Sequence, residues 1–525
     1  MKKGGDILKS TTELHRERSK RQGLRIVIAV SLFVLGPLLF PAASSAASIT
    51  GESTTYLQSR ETADGTKELP LYEYLNFGVQ DIGKDTISFQ FGGWLRYDLK
   101  DNTDKEFKSR DSNDLSYAFL SYRSKSANTT VNLGRVMVFE GVASERVDGI
   151  YAKTDLTRGY AISGFGGIPA ETGTDLPGNA TIYGTRVSHQ IPGLYQVGLS
   201  YLKEEKNNTD FRKEEGVDLW YKPLGKVELM GKSRYNGETS AWSDHNYVLV
   251  LGPFDKVRLN TEASLINYKD YFTASTTAVF KFDPVIIDRG EKVRVLGEEV
   301  VYEVNKTLNI SANYRTYAYE IAGDAKYYGA NIRYAVVNSG GAGLSMHKMA
   351  GDTDRLKYSE YRAYGYRKLG NTDVTLDVMD VAYDAAVNGV KNAYSVTLAA
   401  AYELTERMKI GADVEYSKNP DFDKDIRTLI KLTYNFDTAK TYHKEAPEHT
   451  SPAPSPAPET LKPAIEQSSP ATTPAPETPK PAGEQSSAPA PQSTTPVVEQ
   501  TVAPAPAQSM PVAAPEQDKR KEGAQ

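Results

Sequence analysis

Cysteine is absent from this chain of 525 residues. Its absence excludes structural disulfides, zinc sites with thiolate ligands, iron–sulfur clusters, covalently attached haem and a lipoprotein anchor. Long apolar runs are also scarce. The longest, Ile26 to Phe40, has about 15 residues, whereas a membrane-spanning helix needs about 20. The sequence therefore predicts no helical membrane span, although a single anchor helix at this run is the alternative.

Catalytic motifs are equally scarce. The chain has no HExxH or HxxE spacing, no glycine-rich phosphate loop and no GxSxG elbow. We therefore predict that the protein is not an enzyme and needs no metal or cofactor. One local group of catalytic residue types, Ser243, Asp244 and His245, is more simply explained as polar residues of a rim or lumen. The six histidines are scattered: His15, His189, His245, His347, His443 and His449.

The N-terminus has the order of a secretory signal peptide. Basic residues from Lys2 to Arg25 precede the apolar run, and small residues follow it, so cleavage is expected after Ala46 or Ala47. We assign residues 1–46 to this signal. Its removal takes the net charge from −5 to about −10. Such acidity argues against a nucleic-acid partner, whose recognition needs a basic face.

Strict alternation of apolar and polar residues dominates the next 390 residues or so. Met408 to Ser417 and Leu308 to Arg315 are clear examples, and Val257 to Leu265 is interrupted only at Thr261. Alternation of period two predicts strands with one apolar and one polar face. The runs are about 10 to 13 residues, which suits tilted transmembrane strands better than soluble strands of about 5 or 6.

Tyrosine is unusually common, with 33 residues against 16 phenylalanines. It is concentrated toward predicted strand ends, at Tyr302, Tyr402 and Tyr416, where the aromatic girdles of a membrane barrel would lie. The last predicted strand ends on Tyr434 and Phe436. This ending resembles the terminal strand by which outer-membrane barrels are recognised for assembly. The resemblance implies that these two residues form the signal for the barrel-assembly machinery.

We therefore predict an all-β fold: a transmembrane antiparallel β-barrel of about 22 strands (about 18 to 24) over residues 47–436. Short turns, such as Gly83 to Asp85 and Asn305 to Thr307, would face the periplasm. Longer polar connections, such as Glu204 to Lys213 and Asp384 to Lys391, would face outside. Asp270 to Lys292 is interpreted as one long loop, although it could hide a further strand.

The polar faces of the predicted strands carry charges of both signs, which would line an aqueous lumen. Their plainest interpretation is a solvated wall, and the barrel charge of about −6 gives a slight preference for cations. If a loop folds inward as a constriction, the long segment is the first candidate, through Asp283, Asp288, Arg289 and Glu291. The predicted pore-lining residues are Arg258, Glu262, Arg315, Arg333, Asp413, Glu415, Arg427 and Lys431.

The C-terminal segment has a different composition: 18 of the 28 prolines lie beyond Phe436. An 18-residue repeat places PAPETLKPAIEQSS at Pro456–Ser469 and PAPETPKPAGEQSS at Pro474–Ser487. Such a sequence cannot bury a core, so residues 437–525 are predicted to be a disordered periplasmic tail. It would serve as a spacer, or as a docking segment for peptidoglycan or another periplasmic partner.

Three functions fit these features in the outer membrane of a Gram-negative bacterium. The first is a porin-like channel for small hydrophilic solutes or ions. The second follows from a resemblance in size, Tyr-rich strands and absent plug to the barrels of porin–cytochrome conduits. That resemblance implies a sheath, without a redox group of its own, around a multihaem c-type cytochrome. The third is a structural anchor whose tail contacts the cell wall.

Overall fold

The structure, a computed structural model, describes residues 48–61, 67–82, 86–100, 111–126, 128–170, 179–207, 209–270, 290–337, 339–420 and 422–438. All of them belong to one compact unit, and a second unit, residues 440–505, lies outside the described residues. The predicted signal peptide and nearly all of the predicted tail also lie outside them.

The described residues form one antiparallel sheet that closes on itself. Its first strand, β1, pairs with β3 on one side and with the last strand, β23, on the other. The two-residue β2 pairs only with the end of β1, so 22 strands make the wall. The predicted barrel and its strand number are confirmed. The strands are β1 (Ser48–Glu61), β2 (Lys67–Glu68), β3 (Pro70–Gln80), β4 (Ile87–Asp98), β5 (Asp111–Arg123), β6 (Thr129–Glu140), β7 (Ala143–Asp155), β8 (Tyr160–Pro169), β9 (Ala180–Ile191), β10 (Tyr195–Lys206), β11 (Thr209–Leu224), β12 (Val227–Asn236), β13 (Ala241–Phe254), β14 (Val257–Asn267), β15 (Lys292–Asn305), β16 (Leu308–Tyr319), β17 (Gly323–Val336), β18 (Gly340–Gly351), β19 (Lys357–Leu369), β20 (Thr372–Val387), β21 (Val390–Thr405), β22 (Met408–Asn419) and β23 (Phe422–Asp437).

The alternation of the sequence becomes the two faces of the wall. Leu398, Val414 and Ile430 lie on three neighbouring strands and are 54%, 48% and 49% exposed. Their sequence neighbours Asp413 and Lys431 point the other way, because successive side chains of a strand lie on opposite faces. The outer face of the barrel is therefore apolar, and its inner face is polar.

Both ends of the described barrel lie at the same edge of the sheet. Thr50 is the register partner of Asp437, and Thr438 N donates to Ile49 O at 2.9 Å. An even number of strands requires this arrangement. The predicted short turn at Asn305 to Thr307 lies at this edge, which we call the terminal end of the barrel, whereas Gly83 to Asp85 lies outside the described residues.

Two predicted loops at the opposite end are strands instead. β10 and β11 together run through the Glu204–Lys213 segment, with a turn at Asn207. β20 and β21 are joined by only Asn388 and Gly389, both at positive φ. The prediction of long polar loops here was wrong because backbone pairing does not depend on the polarity of the side chains, and neither segment has the regular alternation that marks a strand.

Helical structure among the described residues is limited to two short 3-10 segments, Thr157–Gly159 and Asp354–Leu356. Within the same residues, no helix is long and apolar enough to cross a membrane.

The closing seam between β1 and β23 is packed by aromatic rings. Phe436 stacks on Tyr434 with ring centroids 6.1 Å apart. Across the seam, a Cβ added to Gly51 would lie 2.4 Å from the Phe436 ring, so glycine is needed for the ring to cover β1. The role of both aromatics in assembly remains a prediction, but their packing gives it a physical basis.

We expect Phe436→Ala to lower the yield of folded barrel severalfold, because the seam loses its covering ring. The folded fraction can be measured as the heat-modifiable band on electrophoresis of membrane fractions. Phe254→Ala is the matched control, since Phe254 also ends a strand and is 52% exposed. Equal yields from the two variants would contradict a special role for the seam.

Candidate functional site: a hairpin folded into the barrel

The β6–β7 hairpin leaves the wall before it ends. Pairing of β5 with β6 stops at Ala118↔Arg135, and the register of β7 with β8 stops at Val147↔Pro169. The two hairpin strands nevertheless pair with each other as far as Glu140↔Ala143. Residues 136–146, which we call the hairpin tip, therefore separate from the sheet that forms the wall.

A pair of glycines lies where the hairpin departs. Gly134 and Gly149 are register partners, and Gly134 has φ 131°. A Cβ on Gly134 would lie 2.3 Å from the carbonyl oxygen of Ala118, so only glycine permits this backbone path. Beyond this glycine pair, the tip folds back toward the middle of β7. A hydrogen bond shows this: Tyr151 Oη, in the middle of β7, donates to Glu140 Oε1 of the tip at 2.6 Å.

One face of the tip packs on the inner wall. Ile182 and Leu202 on β9 and β10 point inward, since their neighbours on the same strands, Tyr183 and Leu199, are 43% and 62% exposed. The tip covers both of them. Burying each such side chain contributes on the order of 1.5–3 kcal/mol. The buried cluster comprises Val136, Val138, Val142, Ala143, Val147, Phe165, Ile182 and Leu202.

Polar contacts fix the position of the tip on β10 and β11. Val142 N donates to Ser200 Oγ at 3.0 Å. A Cβ on Gly216 would lie 2.2 Å from Val142 Cγ1, so this glycine provides space for the turn. Arg212 Nη2 lies 2.8 Å from Glu145 Oε1, and both side chains are almost completely buried.

Arg212 is the centre of a larger charged group. Besides Glu145, it lies 2.8 Å from Glu214 and 3.8 Å from Glu204. A buried ion pair gives little net stability compared with an apolar pair, but removing one partner leaves an uncompensated charge and costs about 3–5 kcal/mol. Loss of Arg212 would leave three buried carboxylates facing one another.

Two further arginines join the tip and its base to the wall. Arg186 on β9 lies 3.5 Å from Glu140 of the tip and 2.6 Å from Asp218 on β11. Arg146 of the tip lies 2.6 Å from Asp114 on β5. The tip is therefore held by charged contacts to strands on both sides of its departure point.

Arginine side chains also donate hydrogen bonds to backbone carbonyls at the place where the hairpin leaves the wall. Arg135 Nη1 donates to the Leu115 carbonyl at 3.1 Å, and Arg146 Nε donates to the Ala170 carbonyl at 3.1 Å. Arg135 is itself held by a two-point contact to Asp148, at 2.6 and 2.7 Å. A planar guanidinium suits such bridging better than a lysine ammonium.

The predicted pore-lining residues lie on the inner face but do not form one cluster. Glu262 pairs with Arg315 at 3.3 Å, and Lys431 Nζ lies 5.2 Å from the centroid of the Tyr56 ring. Glu415 accepts from Ser395 Oγ at 3.3 Å. Their contribution to a pore remains a prediction. The other predicted residues on this face are Arg258, Arg333, Asp413 and Arg427.

Of the predicted constriction residues, the structure describes only Glu291. Asp283, Asp288 and Arg289 lie outside the described residues. The carboxylate of Glu291 accepts from the amides of Ile321 and Ala322, both at 3.0 Å, so this residue holds the β16–β17 turn. Within the part of the chain that the structure describes, the segment that folds inward is the hairpin tip, which the sequence analysis did not single out.

Ser243, Asp244 and His245 do not form a catalytic arrangement. Asp244 makes a two-point contact with Arg234, while His245 Nδ1 lies 2.8 Å from Ser233 Oγ. Ser243 Oγ donates to the Arg234 carbonyl. Among the described residues, no group of three or more His, Cys, Asp or Glu could hold a metal ion.

No protein-family model and no curated protein sequence matches the chain. Solved structures do. The siderophore receptor PirA from Acinetobacter baumannii is 10% identical, with a TM-score of 0.48 and coverage of 75% of this chain and 81% of that one. OccAB4 from the same organism is 11% identical, with a TM-score of 0.38 and coverage of 76% and 100%. The P pilus usher (PapC) translocation pore is 8% identical, with a TM-score of 0.44 and coverage of 74% and 99%. Likenesses this distant do not indicate what the chain binds or transports.

We expect Arg212→Met to release the hairpin tip, because the contact between Arg212 and Glu145 is lost and three buried carboxylates are left together. Amide hydrogen exchange of residues 136–146 should become at least tenfold faster, and the free energy of unfolding should fall by about 3 kcal/mol. Arg234→Met is the matched control, since it breaks a similar arginine–carboxylate pair between β12 and β13, with Asp244. Unchanged exchange in the tip of the Arg212 variant would show that the ion pairs do not hold it.

Proposed function

We propose that the protein is an outer-membrane channel, similar to a porin, for passive passage of small hydrophilic solutes or ions. The observation that carries this proposal is the hairpin folded into a closed, polar-lined barrel. In this proposal the hairpin narrows the lumen and leaves part of its cross-section open to solutes.

A lipid environment follows from the outer face. Exposed apolar side chains occur around the whole wall, including Leu133 at 58%, Leu199 at 62% and Leu344 at 61%. Such a large apolar surface is rare on water-soluble proteins. A closed barrel also satisfies its backbone hydrogen bonds internally, as a hydrocarbon environment requires. Together with the predicted signal peptide, these features support an outer-membrane location, with the tail on the periplasmic side.

The inner face of the barrel favours the channel function over a sheath around a cytochrome. A barrel of 22 strands has a wide lumen, and barrels of that size are normally plugged. The hairpin tip covers the inner face of β8 to β11 and leaves the polar face of β14 to β23 on the other side. A cytochrome inserted in the barrel would have to share the lumen with the tip, whereas small solutes can pass beside it.

The first test is conductance of the refolded mature protein in a planar bilayer. We expect stable channels, and replacement of residues 137–144 by two glycines should raise their conductance severalfold, because the narrowing is removed. No conductance from the intact protein, with a haem protein co-purifying from native membranes, would contradict the channel and favour the sheath. Equal conductance from the two proteins would contradict the narrowing of the lumen by the hairpin, but not the channel function.

Charge on the inner wall gives a second test. Asp413 and Glu415 share the inner face of β22 and have no ion-pair partner among the described residues. We expect Asp413→Asn with Glu415→Gln to shift the reversal potential in a salt gradient toward lower cation preference, because local negative charge is lost. Glu298→Gln is the control, since this exposed carboxylate lies on the outer face of β15 beside Leu296. Identical reversal potentials would exclude β22 from the ion path.

A further inference from the structure

Four aromatic side chains line the inner face of β1, β3 and β4, which we call the aromatic ladder. Tyr56 and Tyr74 have ring centroids 5.4 Å apart, and Tyr72 and Tyr74 are 6.1 Å apart. Trp94 lies 6.2 Å from Tyr72 and 6.4 Å from Tyr74. These separations fall within the range in which aromatic rings interact favourably.

The register places the ladder inside the barrel. Tyr56 is the partner of Lys431, whose neighbour Leu432 is on the outer face, so Tyr56 points inward. Tyr74 and Trp94 are partners on the next two strands and share that face. All four rings are only partly buried. Partly exposed aromatic rings in a polar lumen need an explanation, because the apolar face of these strands is the outer one.

Cations already lie against the faces of two of the rings. Lys431 Nζ is 5.2 Å from the Tyr56 centroid, and Arg96 Cζ is 6.0 Å from the Tyr72 centroid. These contacts are electrostatic attractions to the ring face. The ladder therefore presents ring faces as well as edges to groups on the inner wall.

The hairpin tip is connected to the ladder through β5. Phe139 is 62% exposed, although it belongs to the tip. It lies on the same face of the hairpin as Arg146, which is bonded to Asp114. Asp114 is the register partner of Trp94. The narrowing and the ladder are thus linked through one residue of β5.

We propose that the aromatic ladder is a binding site for small planar aromatic solutes that pass the hairpin. The proposal rests on the channel function and names a class of solute for it. A planar ring can stack on one member and move to the next, because neighbouring rings are about one ring width apart and every aromatic ring offers the same kind of face. A saturated ring of the same size has no such face and gains much less.

The test uses Trp94 as the reporter of equilibrium binding, so that it does not depend on conductance. With Trp220→Phe and Trp242→Phe, Trp94 is the only tryptophan of the chain. Its emission is titrated with benzamide and, separately, with cyclohexanecarboxamide. A second protein keeps only Trp242, on β13 against His245. Its emission is the control for partition of the solute into detergent.

In the Trp94 protein we expect saturable binding of benzamide, at least tenfold tighter than binding of the cyclohexane analogue. Tyr56→Leu with Tyr74→Leu should weaken it about tenfold, whereas Tyr56→Phe with Tyr74→Phe, which keeps the rings, should not. Equal responses from Trp94 and Trp242, equal binding of the two solutes, or no effect of the leucines would overturn the proposal. Conductance without selective binding refutes the ladder alone; selective binding without conductance refutes the channel and keeps the ladder as a binding site.

Discussion

The need to pair every backbone amide and carbonyl of the wall is the constraint on which this structure depends. In hydrocarbon no water satisfies an open strand edge, so the sheet must close, and the ten-residue register between β1 and β23 closes it. Closure fixes which face of every strand points inward. The apolar surface, the polar lumen and the position of each charged side chain all follow from that single register.

The same constraint explains the chemistry around the hairpin. When β6 and β7 leave the wall, they leave strand edges behind, and Arg135 and Arg146 supply the donors that bond to those edges. The charges of these arginines must then be balanced, which Asp148 and Asp114 do. The ion pairs on this side of the lumen therefore satisfy backbone groups as well as hold the tip, and in this they differ from the carboxylates on β22.

The sequence was sufficient to predict the barrel and its strand number, because alternation reports directly which side chains face lipid. It was not sufficient for the hairpin. Residues 136–139 are Val, Met, Val and Phe, an apolar run without alternation, and such a run does not reveal whether the strand stays in the wall or folds into the lumen. Only the glycines at 134 and 149 marked the departure, and their pairing depends on the register. The partners of Arg212 come from three strands, so no local pattern could have brought them together. Glu291 was predicted to be a candidate for a constriction loop, whereas its carboxylate accepts from amides about 30 residues later in the chain, a contact that no local pattern indicates.

Departure of the hairpin also changes how the wall is closed. The pairing of β5 with β6 stops at Ala118↔Arg135, whereas β7 stays paired with β8 as far as Val147↔Pro169, so the break in the backbone ladder lies on the β5 side of the hairpin. At the terminal end, β5 and β8 are joined through both hairpin strands by backbone hydrogen bonds. Nearer the opposite end, the side chains of Arg135 and Arg146 take over the contact with β5. One sector of the wall is therefore closed by side chains rather than by backbone pairing, and substitutions can open that sector without disturbing the register of any other strand pair.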